Sequence, residues 1–460
     1  MYNSRVNPAA GTGKSRSALL PRSLRKHYPT AVRGEGVFIW DDKGNKYLDF
    51  ASSAVVNFVG HGVGEVQEAI AAQARALEFV HSSQFVTEPA QEFASELLDF
   101  LGPAYRDAAV FFTCGGSEAV ESALKLARQY QVETGSSRRH QIVSRRQSYH
   151  GATLGAMAVS GNVKRKAIYG PMLKEFAQIA TPYCYRCPYS CNDCARKYAG
   201  ELDEVLSERS GDVAAFIYEP VSGATLGAAV PPEGCLQQIH RICARHGVLT
   251  IADEVMTGMG RTGRALATQH AGVVPDIVVL AKGLASGYAP LGAVVASRKI
   301  VDAIASGSGA LVHGFTYSAH PPSTAAGRAV LKIIRERRLV QAADDQGTGA
   351  AAHLKHALAR LRELDCVGDA RGIGLLWAVE FVKDRATKEP FPPVQDFAGK
   401  VAQACVERGV VIYPMQGCVD GYRGDHVMIA PPAVITAAEI DFATDQVMQA
   451  VQAAGNSVRQ

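Results

Sequence analysis

Short apolar runs alternating with helical stretches constrain this chain more than any other feature. They fall at residues 109–112, 141–143, 214–218, 248–252, 277–280 and 291–295. Each is too short for a buried helix and lacks polar alternation, which is how strands buried on both faces read. Helical periodicity separates them, as over residues 117–134. The alternation predicts an α/β fold with a mainly parallel sheet covered by helices on both faces. Upstream, residues 36–50 (GVFIWDDKGNKYLDF) read as a hairpin around an Asp-Lys-Gly-Asn turn. Residues 65–79 read as a helix carrying Val66, Ile70, Ala74 and Leu77 on its apolar face. After about residue 325 the sequence is helix-rich, with short strands expected at 375–381, 410–413 and 426–429. That section reads as a smaller α/β unit.

At 460 residues the chain exceeds one ordinary core, so two domains or one large domain with a small partner are expected. Its 47% hydrophobic and 20% charged residues are those of a globular enzyme, and a net charge of +4 asks for no nucleic-acid partner. No apolar run is long enough to cross a membrane. The N-terminal twenty or so residues read as a polar arm without a secretory h-region, which points to the cytoplasm. Ten cysteines are too few for a disulfide framework, so reduced thiols are expected.

Three look-alike motifs carry less than they suggest. Residues 10–15 end like a phosphate loop, yet Pro8 stands where the first glycine is required and no strand precedes it. Gly258, Gly260 and Gly263 fit G-x-G-x-x-G, but five residues separate them from the strand that a dinucleotide fold would end on the first glycine. A nicotinamide dehydrogenase is therefore a distant alternative. Cys184, Cys187, Cys191 and Cys194 have paired spacing suited to zinc or iron–sulfur. The gap between the pairs is tight for a metal module, so a structural loop without metal is the expectation.

Four further features, in chain order, answer one chemistry. Gly115-Gly116-Ser117 follows a strand and opens a helix, where backbone amides, a hydroxyl and the helix dipole make a phosphate cradle. Tyr149, in Ser-Tyr-His-Gly, offers a flat ring to an aromatic ligand. Asp253 ends a buried strand, placed to pair with a protonated ring nitrogen. Lys282 follows the apolar run 277–280, where an amine is costly unless paired or used covalently, and a desolvated amine forms imines well. Singly, the first three have plainer readings: a capped turn, a packed loop, and a helix cap or structural ion pair. Together the four supply a cradle, a ring stack, a pyridinium partner and an imine-forming lysine.

On these residues, and on the stretch 252–263 (ADEVMTGMGRTG) followed by Ala281-Lys282-Gly283, the chain resembles the class III aminotransferases, of the fold-type I pyridoxal-phosphate enzymes. The resemblance runs from about residue 29 to 447. It implies a large mainly parallel-sheet domain and a smaller α/β domain built from both termini. The division expected is an arm and small-domain segment at 1–70, a cofactor-binding domain at 71–325 and a C-terminal small domain at 326–460. It implies pyridoxal 5′-phosphate as cofactor, with Lys282 and Asp253 catalytic. Gly116 and Ser117 would bind the phosphate, Tyr149 would stack on the ring, Val255 would pack on its opposite face and Glu219 would lie near its substituents. Thr316, in Gly-Phe-Thr-Tyr-Ser, would reach the phosphate of the neighbouring subunit, which makes the enzyme a homodimer.

The activity implied is a ping-pong transfer from an ω-amino acid, amino acid or amine donor to a keto acid, pyruvate-like or 2-oxoglutarate. Family members using 2-oxoglutarate carry a glutamate that gates an arginine; the corresponding positions here are Ala224 and Met428. That departure favours the ω-amino acid and amine branch that often uses pyruvate. Arg423 reads as a surface arginine, out of register with the gated one. The loop at residues 181–188 is similar to that of acyl-β-lysine transaminase-like proteins, a pointer to a long amino acid. An aminomutase or a decarboxylating transaminase of the same fold would use the same parts.

Overall fold

The computed structural model describes residues 18–26, 28–189, 193–209 and 211–459. The phosphate-loop look-alike and most of the expected arm lie outside them, as does Cys191. Three strands open the described chain: β1 (Ala31–Glu35), β2 (Phe38–Asp41) and β3 (Lys46–Asp49). The last two form the hairpin expected at 36–50; β1, on its outer edge, was not legible in the sequence.

Seven strands then build one large sheet: β4 (Ala109–Thr113), β5 (Gln141–Arg145), β6 (Gln178–Ile179), β7 (Val213–Tyr218), β8 (Leu249–Asp253), β9 (Ile277–Leu280) and β10 (Gly292–Ala296). Their spatial order is β4-β10-β9-β8-β7-β5-β6. Only β10 runs antiparallel to its neighbours; the pairs β9–β8, β8–β7, β7–β5 and β5–β6 are parallel. Every residue of β7, β8, β9 and β10 is buried, which is why these strands show no polar alternation. Successive side chains still part to opposite faces. Ala215 and Ile217 pack with Ala119, Val120 and Ala123 of the helix Gly116–Glu133. Phe216 and Tyr218 pack on the other face with Leu202 and Ile239, from the helices Cys194–Arg209 and Cys235–His246.

The C-terminal part adds β11 (Val367–Ile373), β12 (Leu376–Phe381), β13 (Val410–Val411), β14 (Tyr413–Gln416) and β15 (Asp425–Ile429). The single strand expected at 410–413 is two strands in different sheets. β13 pairs in parallel with β3, Val410 opposite Leu48, and so joins the ends of the chain in one sheet. β14 enters the antiparallel sheet β11-β12-β15-β14. Among the described residues, no helix is long and apolar enough to cross a membrane.

The glycines at 258, 260 and 263 are buried in turns, and the next helical residues begin only at Ala267. A Cβ at Gly258 would lie 2.7 Å from Leu280 Cδ2. These glycines serve close packing, and the strand–glycine–helix geometry of a pyrophosphate loop is not present.

Candidate active site

Parallel strands present their carboxyl ends on one edge, and the chemistry-bearing residues expected from the sequence follow those ends. Gly116 and Ser117 come after β4, Tyr149 after β5, Glu219 after β7, Asp253 ends β8 and Lys282 follows β9. They converge on one cavity of about 450 Å³, lined by Gly115, Gly116, Ser117, Tyr149, His150, Glu219, Asp253, Val255 and Lys282 among others. Its floor near Gly287–Leu291 comes from the segment leading into β10.

Asp253 is buried and held at both oxygens. His150 Nδ1–H donates to Oδ2 at 2.8 Å, and the Val255 N–H donates to Oδ1 at 3.1 Å. His150 is itself fully enclosed; its backbone N–H donates to Ser160 Oγ at 2.8 Å, which fixes the loop that carries it. Among the described residues His150 Nε2 meets no partner.

The Lys282 amine donates to the Ala54 carbonyl at 3.1 Å. Burial pushes its pKa down to about 8, against the pull of the Asp253 carboxylate; the Arg261 and Arg165 charges push the same way as burial. Lys282 sits at φ 47°, in the left-handed region that a lysine adopts only when its surroundings impose it. Glu219 is likewise shifted, up to about 7, because burial penalises its carboxylate more than the Gly223 and Tyr149 N–H groups stabilise it. Those donors lie 2.9 and 3.3 Å from its two oxygens.

At the helix start, Ser117 Oγ accepts from the Ala152 N–H at 3.0 Å, which leaves its own proton to donate. The first-turn N–H groups of Gly116 and Ser117 have no intrahelical acceptor to satisfy them. Gly116 lets Val255 approach closely: a Cβ there would stand 3.3 Å from both Val255 methyls. At Gly151, whose φ is 143°, an added Cβ would stand 3.0 Å from Ser117 Cα, so only glycine leaves room there.

Two parts of this site had no clear signal in the sequence. His150 sat in the Tyr-His pair but gained its role only when the fold set it against Asp253. The segment Ser52–Val55 forms a left-handed turn of four non-glycine residues, with φ of 48°, 49°, 68° and 64°. Asp49 anchors it, accepting from the Ser53 N–H at 2.9 Å and the Ser53 hydroxyl at 2.8 Å. No glycine advertised such a turn.

Other residues singled out from the sequence fall elsewhere. Thr316 is exposed in a turn and does not line this cavity in its own chain. Arg423 is exposed and tied to Asp420 at 2.7 Å. Ala224 and Met428 share one buried apolar cluster with Val55, Val221 and Leu376. Cys187 and Cys194 bring their sulfurs within 3.7 Å. Cys194 is disulfide-bonded, so the expectation of reduced thiols throughout does not hold at that residue.

The profile of the family described as aminotransferase class-III matches residues 21–451. An uncharacterized aminotransferase of Bacillus subtilis, YodT, is 38% identical over 427 residues, covering 92% of this chain and 95% of the relative. The adenosylmethionine-8-amino-7-oxononanoate aminotransferase of Geobacter sulfurreducens is 35% identical, with 90% of each chain covered. Among solved structures, a thermostable (S)-enantioselective omega-transaminase from Thermomicrobium roseum superposes with a TM-score of 0.88 at 36% identity, covering 95% of this chain and 96% of that one.

Proposed function

The chain belongs to the class III aminotransferases, and on that premise we propose that it moves an amino group from an ω-amino acid, amino acid or amine to a keto acid in two ping-pong half-reactions. The observation that carries this reading is the gathering of Lys282, Asp253, Ser117 and Tyr149 on one cavity.

The residues present fit pyridoxal 5′-phosphate. A buried carboxylate held from behind by His150 suits a cationic ring nitrogen, and a helix N-terminus with a free hydroxyl proton suits a phosphate. In this reading Asp253 holds the ring nitrogen, Gly116 and Ser117 hold the phosphate, Tyr149 and Val255 take the two ring faces, and Glu219 lies by the ring substituents. Thr316 of the partner subunit completes the phosphate site in a homodimer. Residues 71–325 form the cofactor-binding domain, and both ends of the chain contribute to the smaller one.

When bound, the cofactor supplies the electron sink that makes the carbon–hydrogen bond beside the donor nitrogen acidic. The chain supplies the rest. With a pKa near 8, Lys282 Nζ is neutral in an appreciable fraction of molecules at physiological pH, so it can take that proton and return it. Val255 lines the cavity as an apolar side chain. The Ala224 and Met428 cluster offers no charge to a second substrate carboxylate, which favours a pyruvate-like acceptor over 2-oxoglutarate.

Absorbance spectra test the reading. Purified wild type supplied with pyridoxal phosphate is expected to show a band at about 410–430 nm that gives way to one at about 330 nm when a donor from a panel of ω-amino acids and amines is added. Lys282→Ala is expected to lack the first band. Its persistence in that variant, or no band in wild type, sinks the assignment.

A further inference from the structure

Three basic residues lie together on the short helix Val163–Lys166, and their heads have different fates. Lys164 Nζ donates to Gln416 Oε1 at 3.2 Å, and Lys166 Nζ donates to the Ala158 and Ser160 carbonyls at 3.0 Å each. Arg165 is oriented by its own backbone, whose N–H donates to Asn162 Oδ1 at 3.0 Å. Its guanidinium carbon lies 4.6 Å from the centroid of the Tyr149 ring, and Tyr149 lines the cavity. Among the described residues, no oxygen accepts a hydrogen bond from that guanidinium.

The other arginines lie elsewhere: Arg145 is buried over the Phe216 and Tyr218 rings, with Nε and Nη2 unpartnered among the described residues, and neither it nor Arg423 lines the cavity. Arg261 donates to the carbonyls of Asn57, Ala430 and Pro431. Arg145 donates to the Glu219 carbonyl at 3.0 Å. Arg423 is paired with Asp420. Arg165 nevertheless acts on the cavity, because its charge is one of those that lower the Lys282 pKa. A half-buried guanidinium laid on an aromatic face keeps its planar fork of N–H donors in a fixed plane, and the group that matches that fork is a carboxylate.

Resting on the transaminase reading above, we propose that Arg165 binds the carboxylate of the substrate and so selects amino acids over simple amines. With Ala224 and Met428 apolar, the charge that recognises the carboxylate enters from the Tyr149 side of the cavity. The substrate class is an amino acid whose carboxylate stands away from the reacting amine, reaching past Tyr149 while the amine lies at Lys282.

The test compares 6-aminohexanoate with hexylamine as donors, and adds calorimetric binding of hexanoate, which cannot react. Wild type is expected to favour the acid in kcat/KM. Arg165→Gln is expected to lower the acid-to-amine ratio about ten- to a hundredfold, and to weaken hexanoate binding by a similar factor. Arg165→Lys, which keeps the charge without the fork, is expected to retain part of both. An unchanged ratio in Arg165→Gln overturns the proposal, as does a fall that is equal for acid and amine, which would mean that Arg165 only packs Tyr149. Hexanoate binding that Arg165→Gln leaves intact overturns it too. A wild type that turns over no donor, yet binds hexanoate through Arg165, would sink the transaminase reading and leave the carboxylate site standing.

Discussion

Replacing Lys282 by methionine in the cofactor-free protein isolates what it costs to keep an amine in this cavity. Methionine keeps the stem's length and apolar contacts and removes the charge. The lysine pKa falls from 10.5 to about 8 on folding. The folded state therefore binds fewer protons than the unfolded chain between those values, so stability rises with pH across that window. Below pH 8 the full penalty applies, about 3 kcal/mol at 1.36 kcal/mol per pKa unit, and the cavity's water makes that an upper figure. Against it stands the hydrogen bond to the Ala54 carbonyl, worth about 1 kcal/mol. Lys282→Met is thus expected to be about 2 kcal/mol more stable than wild type at pH 7. Above pH 10.5 the order should reverse, the variant losing by about the hydrogen bond alone. Urea unfolding followed by circular dichroism, on both proteins at several pH values, reads this directly. A variant less stable at pH 7, or a difference that does not change with pH, would refute the claim that burial holds this amine near neutrality.

Glu219 should show the opposite slope. Its folded pKa is raised from 4.5 to about 7, so wild type is expected to lose up to about 3 kcal/mol of stability as pH climbs through that range, and Glu219→Gln should flatten the curve. Gly151→Ala places a methyl 2.7 Å from Ser117 Oγ and 2.8 Å from Ala156 Cβ, at a φ that disfavours alanine. A loss of about 1–3 kcal/mol in thermal unfolding is expected, with weakened retention of pyridoxal phosphate on dialysis. Ala54→Gly keeps the carbonyl that meets Lys282 and relieves a left-handed alanine, so it should be neutral or up to about 1 kcal/mol stabilising. Had Ser52–Val55 been an ordinary right-handed helix, the same change would cost about that much.

Most of the large sheet, β6 apart, and the residues that stand at its carboxyl edge were legible in the sequence alone. Runs such as Ile277–Leu280 bury both faces inside a helix-covered sheet, and a residue directly after such a run emerges at a strand end. Lys282, Asp253 and Ser117 were legible for that reason. Strands without an apolar run were not: β11 carries Asp369 and Arg371, and both are tolerated because Arg371 Nη1 pairs with Glu380 of β12 at 2.9 Å and with Asp369 at 3.1 Å. Tertiary structure alone decided that His150 stands behind Asp253, that Arg165 lies on Tyr149, and that Ser52–Val55 turns left-handed without a glycine. The physical reason is range. Local sequence sets periodicity and strand ends, whereas His150–Asp253 and Ala54–Lys282 join residues 103 and 228 positions apart, and the local cost is offset only once the distant partner is in place.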